Sequence, residues 1–272
     1  MNTPIHPTTS LLSAAILAIA LASACGTNLT PTISEISGRS VELVEAGSGG
    51  ATVVFEAGLG DDWSGWDAVA TDVATSARSF AYSRPGYGRS APSPDPRDAT
   101  HIVEDLRALL TARGFAPPYV LVGHSFGGTY MELYAKKYPQ EVRGLVLVEP
   151  RHRDFTTACE AAGLLGCAIP ADAVALMPAI DIAEYEAFAK MSEEIAASGE
   201  FGSYPVRVLT GTSHGFPEAV EQLWVSMLGA LAEEANDGEQ LVFPGASHYL
   251  QLDHAREVAD SIREVIDRSE EN

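Results

Sequence analysis

One stretch constrains this chain more than any other. The apolar run Tyr119-Val120-Leu121-Val122 feeds directly into Gly123-His124-Ser125-Phe126-Gly127-Gly128 and then into a helical pattern. A strand that is apolar on consecutive residues is buried on both faces, which a parallel sheet covered by helices provides. Gly123 and Gly127 leave room for a turn too tight for side chains, and G-x-S-x-G between a strand and a helix is a nucleophile elbow. Gly128 lets the helix pack close to the sheet, and the positive end of its dipole faces any anion that forms beside Ser125.

The rest of the chain repeats the alternation that this stretch demands. Residues 41–44 alternate like a half-buried strand, and 51–57 form a second nearly continuous apolar run. A helix is expected over 68–77, a strand over 78–83, and a loop through Gly86, Gly88 and the prolines 92, 94 and 96. Ile102, Val103, Leu106, Leu109 and Leu110 give 99–113 the spacing of an amphipathic helix. Helix 127–138 and strand 144–149 follow, and after a break strand 206–210, helix 218–233, strand 240–243 and helix 255–267. Strands and helices in this order imply an α/β fold with a mostly parallel sheet. Residues 41–150 and 204–272 are expected to form the core, 25–40 a linker, and the Ala-rich stretch 151–203 a helical insertion.

Residues 1–24 stand apart. They contain no Asp, Glu, Lys or Arg, and the apolar segment 11–21 ends in Ala22-Ser23-Ala24, a pattern that fits a cleaved export signal. An uncleaved membrane anchor is the alternative, for which the run is short. The Ala-Ser-Ala-Cys tail resembles a bacterial lipoprotein signal, in which Cys25 would be lipidated and attach the protein to a membrane; Ala22 and the missing basic residues depart from that pattern. Export changes how cysteines are read. Three are present, and with Cys25 set aside an oxidising compartment permits Cys159 and Cys167 to pair. None of the spacings resembles a metal site, and no cofactor is implied. The formal charge of −20 argues against nucleic acid as a partner, because phosphate binding needs a basic face.

A serine hydroxyl needs a base, and seven histidines are available. His248 follows the strand at 240–243 and a short loop, at the carboxyl edge of the sheet where catalytic groups collect. His124 is next to Ser125 but is expected to point away from the line of attack. An oxyanion would need two N–H donors: the amide of Phe126, and that of Leu59 in the loop Gly58-Leu59-Gly60. Trp63 and Trp66, beside that loop, are expected to contribute to an apolar substrate pocket.

With these residues in view, the chain from about 51 to 268 resembles an α/β-hydrolase. The likeness rests on Glu56-Ala57-Gly58-Leu59-Gly60, on Tyr82-Ser83-Arg84-Pro85-Gly86-Tyr87-Gly88-Arg89-Ser90, on the elbow, and on Ser247-His248-Tyr249. It implies an eight-stranded sheet, a helical lid after strand six, and a Ser–His–acid triad. Relatives usually carry Asp where Ser83 stands, a departure expected to affect loop anchoring. The family's acid usually follows strand seven, but Gly211-Thr212-Ser213-His214-Gly215 offers no carboxylate. The other family position is the end of strand six, where Glu149 stands; Glu218 is the second choice.

The resemblance therefore implies a serine hydrolase with Ser125, His248 and Glu149 as its triad, acting on a small-molecule carboxylic ester. Lactonase, thioesterase, amidase or aminopeptidase, and cofactor-free haloperoxidase activities share the same fold and remain alternatives. Ser125 argues against epoxide hydrolase or dehalogenase chemistry, whose similar members use Asp. A non-catalytic binding protein is the alternative of a different class, since a fold does not fix a function.

Overall fold

The computed structural model describes residues 29–271; the expected signal and Cys25 lie outside them. A single eight-stranded sheet runs in the order β1-β2-β4-β3-β5-β6-β7-β8. Its strands are β1 (Thr32–Ile36), β2 (Arg39–Ala46), β3 (Thr52–Glu56), β4 (Arg78–Tyr82), β5 (Tyr119–His124), β6 (Val142–Val148), β7 (Pro205–Gly211) and β8 (Asp237–Phe243). The first two pair antiparallel, β2 meets β4 antiparallel, and every remaining pairing is parallel.

Alternate residues of the central strands enter two separate cores. Leu121, Leu145, Leu147, Val206 and Val208 face α2 (Ala99–Ala112), α3 (Phe126–Lys137) and α8 (Glu218–Glu233). Val120, Val122, Val146 and Val148 face α1 (Asp67–Val73) and α10 (Ala255–Glu271). Both sets are fully buried, which is why these strands show no polar alternation. The short α9 (Leu250–Asp253) follows the loop that carries His248.

Between β6 and β7 the chain leaves the sheet for α4 (Phe155–Ala161), α5 (Ala171–Val174), α6 (Ala179–Ala187) and α7 (Met191–Ala196). A disulfide closes the first of these turns: Cys159 and Cys167 are bonded with their Cα atoms 5.6 Å apart. The loop it closes is short, so its removal is expected to cost about 2–3 kcal/mol. Denaturant unfolding of the oxidised protein and of a Cys159→Ala/Cys167→Ala variant checks this; coincident transitions would contradict it.

Two boundaries differ from the sequence-based expectation. The stretch 25–40, expected as a linker, contains β1 and the start of β2, joined at Ser37-Gly38 with φ of 53° and 76°. Two successive positive φ values are what a tight hairpin turn requires. Thr32-Ile33-Ser34-Glu35-Ile36 is partly exposed along its length, so this edge strand lacks the apolar run that marks the central ones. β8 begins at Asp237 rather than 240, because backbone pairing with β7 extends through the polar Asp237-Gly238-Glu239.

Candidate active site

The elbow forms as its glycines demand. A Cβ on Gly123 would lie 2.4 Å from the Gly127 carbonyl oxygen, and one on Gly127 would lie 2.4 Å from that of Ala57. Neither position accepts a side chain, and the second contact brings α3 against the end of β3. Ser125 caps α3 with φ 53° and ψ −121°. Among the described residues only three non-glycines have positive φ: Ser37, Ser125 and Glu149. Outside glycine such a conformation costs roughly 1–3 kcal/mol and persists only where surrounding contacts enforce it. Here the Ser125 N–H donates to Val148 O at 3.1 Å, and the Glu149 N–H to Leu209 O at 2.8 Å. The ends of β5, β6 and β7 are thereby tied together, with both strained residues at the carboxyl ends of central strands.

Glu149 is fully buried and lies between two imidazoles. Its Oε2 is 3.1 Å from His248 Nδ1 and 2.5 Å from His214 Nε2, and its Oε1 accepts the Gly211 N–H at 2.5 Å. His214 Nδ1 in turn bonds to Glu221 on α8. Burial alone would raise the Glu149 carboxyl, but its hydrogen bonds and charge interactions with the two histidines outweigh that and hold it below the usual carboxylate value. His214 shows the same balance with opposite sign: burial opposes its charge, and Glu149 and Glu221 raise its pKa. His248 is lowered, chiefly by desolvation, with the neighbouring His124 and His214 adding to the effect against the pull of Glu149.

His124 is turned away from the cavity, as expected, with its Nε2 donating to the His248 carbonyl at 2.9 Å. Glu149 Oε2, His214 Nε2 and His248 Nδ1 lie within 4.8 Å of one another, a separation that could hold a metal ion. The same atoms make the hydrogen bonds between Glu149 and the two imidazoles.

Ser125 and His248 line one cavity of about 630 Å³, together with Leu59, Phe126, His214 and Trp224. The Leu59 N–H has no acceptor among the described residues. The loop that carries it is held by Arg84, whose guanidinium donates to the carbonyls of Ala57 at 2.6 Å and Gly58 at 2.8 Å. The same group bridges Glu56 at the end of β3 and Glu184 on α6, all three side chains being buried. One arginine therefore fastens the inserted helices and the Gly58-Leu59-Gly60 loop to the sheet. Ser83 anchors its own loop: its Oγ donates to Glu42 at 3.1 Å and its carbonyl accepts from Ser90 at 2.7 Å.

Two expectations need correction. Trp63 and Trp66 do not line the cavity. They occupy one 3-10 turn, capped by Asp62, and both indoles are buried in the core on the α1 and α10 side, Trp66 packing on Phe55 at 5.2 Å between centroids. Residues three apart in a 3-10 turn share one side, so both turn inward together. Trp224, Phe155 and Phe216 supply the cavity's aromatic wall instead. Glu218, the second choice for the acid, sits exposed at the start of α8, its carboxylate accepting from Gln222. His214, Arg84 and Trp224 had no role in the sequence reading. The position of His214 after β7 is the counterpart of that of His248 after β8, and is the one local signal that could have singled it out.

A family model described as alpha/beta hydrolase fold matches residues 51–163. The uncharacterized protein YqjL of Bacillus subtilis is 28% identical over 222 residues, covering 80% of this chain and 85% of that protein. Among solved structures, epoxide hydrolase VrEH1 from Vigna radiata superposes with a TM-score of 0.66 at 18% identity, covering 89% of this chain and 99% of that one. E-2-(acetamidomethylene)succinate hydrolase gives 0.65 at 20% identity, covering 88% and 100%.

Proposed function

The chain belongs to the α/β-hydrolase superfamily, and from that footing we propose that it is a serine hydrolase of carboxylic esters. The observation that carries the reading is the buried Glu149 carboxylate on His248 Nδ1, at the edge of a cavity that strained Ser125 also lines. An anion at Nδ1 selects the tautomer that leaves Nε2 free to accept a proton.

Ser125 Oγ attacks the ester carbonyl while His248 takes its proton, and the N–H groups of Leu59 and Phe126 stabilise the oxyanion. Collapse breaks the ester C–O bond, and the imidazolium returns its proton to the leaving alcohol. Water, deprotonated by His248, then attacks the acyl-enzyme; collapse releases the acid and restores Ser125. The helices between β6 and β7 act as a lid over this site, and their attachment through Glu184 and Arg84 links lid position to the oxyanion loop. Export through residues 1–24, with lipid attachment at Cys25, belongs to the same proposal; the disulfide supports it because such bonds persist in oxidising compartments.

A panel of p-nitrophenyl esters, lactones, thioesters and peptide amides tests the substrate class. Esters are expected to be cleaved fastest, and cleavage of amides or lactones alone would overturn that choice. The pH dependence is a second check. His248 is held below the ordinary imidazole pKa of about 6.5, so it is neutral, and able to act as a base, into mildly acidic solution. The acidic limb of kcat/KM, which reports the free enzyme, is expected to have its midpoint below that value. A midpoint above about 7 would contradict the role of His248.

A further inference from the structure

The cavity holds a cation that the ester mechanism does not use. Arg151 follows β6 just beyond Glu149 and Pro150, and its own N–H donates to the Ser125 carbonyl at 2.9 Å, so its position is tied to the elbow. Arg151 lines the cavity with Ser125 and His248. Its guanidinium rests over the Phe155 ring at 4.8 Å, with Trp224 and Phe188 at 5.9 and 6.0 Å. Among the described residues its side chain has one hydrogen-bond partner, Thr156 Oγ1 at 2.6 Å, and no carboxylate.

This is unusual for the molecule. The buried arginines, Arg84 and Arg207, are each matched by glutamates, whereas the half-buried Arg151 is not, in a chain where acidic residues outnumber basic ones by 37 to 17. Placing an arginine in an aromatic pocket without an anion is costly, and burial depresses its pKa to about 10. Aromatic faces recover part of that cost but leave the in-plane N–H fork unused.

We propose that Arg151 receives an anionic group of the substrate, so that the natural ester carries a carboxylate on the part lying in the cavity. The inference rests on the serine-hydrolase reading and narrows its substrate class. The planar fork of a guanidinium pairs with a carboxylate through two parallel hydrogen bonds, and the surrounding aromatic wall excludes the water that would weaken them. The formal net charge of −20 repels anions at a distance, so selectivity for the anion arises at contact with Arg151.

Two matched pairs test this. One compares mono-p-nitrophenyl adipate with its methyl ester; the other compares the butyryl ester of 6-hydroxyhexanoic acid with the corresponding methyl ester. Each is assayed with the wild type, Arg151→Met and Arg151→Lys. The wild type is expected to favour the acid in one of the pairs. In Arg151→Met the acid-to-methyl-ester ratio of kcat/KM should fall about 10- to 100-fold, and Arg151→Lys should restore part of it. A wild type that prefers the methyl ester in both pairs, or a ratio unchanged in Arg151→Met, overturns the proposal.

Labelling of Ser125 by a fluorophosphonate is followed in parallel. A wild type that neither labels nor turns over any of the four esters refutes the hydrolase reading beneath the proposal. If it labels without turnover, protection by hexanoate decides: protection lost in Arg151→Met supports the proposal, and protection that persists in Arg151→Met or is no better than that by hexanamide overturns it.

Discussion

Replacing Ser125 by Ala is expected to lower ester hydrolysis by at least about 10⁴-fold, with the protein still folded. Ser125 holds a positive φ for which alanine is no worse than serine, and its side chain makes no capping hydrogen bond. The variant therefore loses the nucleophile without losing a structural contact. His248→Ala is expected to be similarly inactive. The double variant should be little worse than either single one, because nucleophile and base act as one unit. Losses that multiply in the double variant would separate the two residues and contradict their pairing. Steady-state kinetics with a p-nitrophenyl ester, on protein checked by circular dichroism, makes the comparison.

Glu149→Gln is expected to cost about 10³- to 10⁴-fold in kcat. The amide keeps the shape of the carboxylate but carries no charge, so it neither stabilises the imidazolium nor enforces the productive tautomer. Glu149 is also the shared acceptor for His214 and for the Gly211 N–H, so the substitution should lower thermal stability as well. Glu218→Gln is the control: that carboxylate is exposed on α8 and engages Gln222, so turnover should stay within about two-fold of wild type. Near-normal turnover in Glu149→Gln would remove Glu149 from the triad.

The fold was legible where burial on both faces leaves an unmistakable pattern. Tyr119 to Val122 and the apolar stretch of β6 need a covered parallel sheet, and the helix expected over 218–233 is the one observed. Legibility failed at the edges. β1 and the first residues of β8 are held by backbone pairing, which leaves no mark in side-chain polarity.

The site divides in the same way. Ser125 and Phe126 follow from a local turn, and His248 from its place after a strand. Glu149 emerged because the usual position for the acid held none. Arg84 and Glu184 are 100 residues apart, and the bond between His214 and Glu149 spans 65; no local period encodes such contacts. Trp63 and Trp66 show the converse: closeness in sequence to the Gly58-Leu59-Gly60 loop does not determine which side of the sheet a side chain enters.

The central claim is that Ser125 is a nucleophile activated by His248. Mass spectrometry of the intact protein, and of its peptides, after exposure to a fluorophosphonate tests it most directly. A single adduct is expected on the peptide carrying Ser125, forming rapidly in the wild type, slowly in His248→Ala, and not at all in Ser125→Ala. Folded wild-type protein that takes up no label, or labels elsewhere at a rate indifferent to His248, would contradict it.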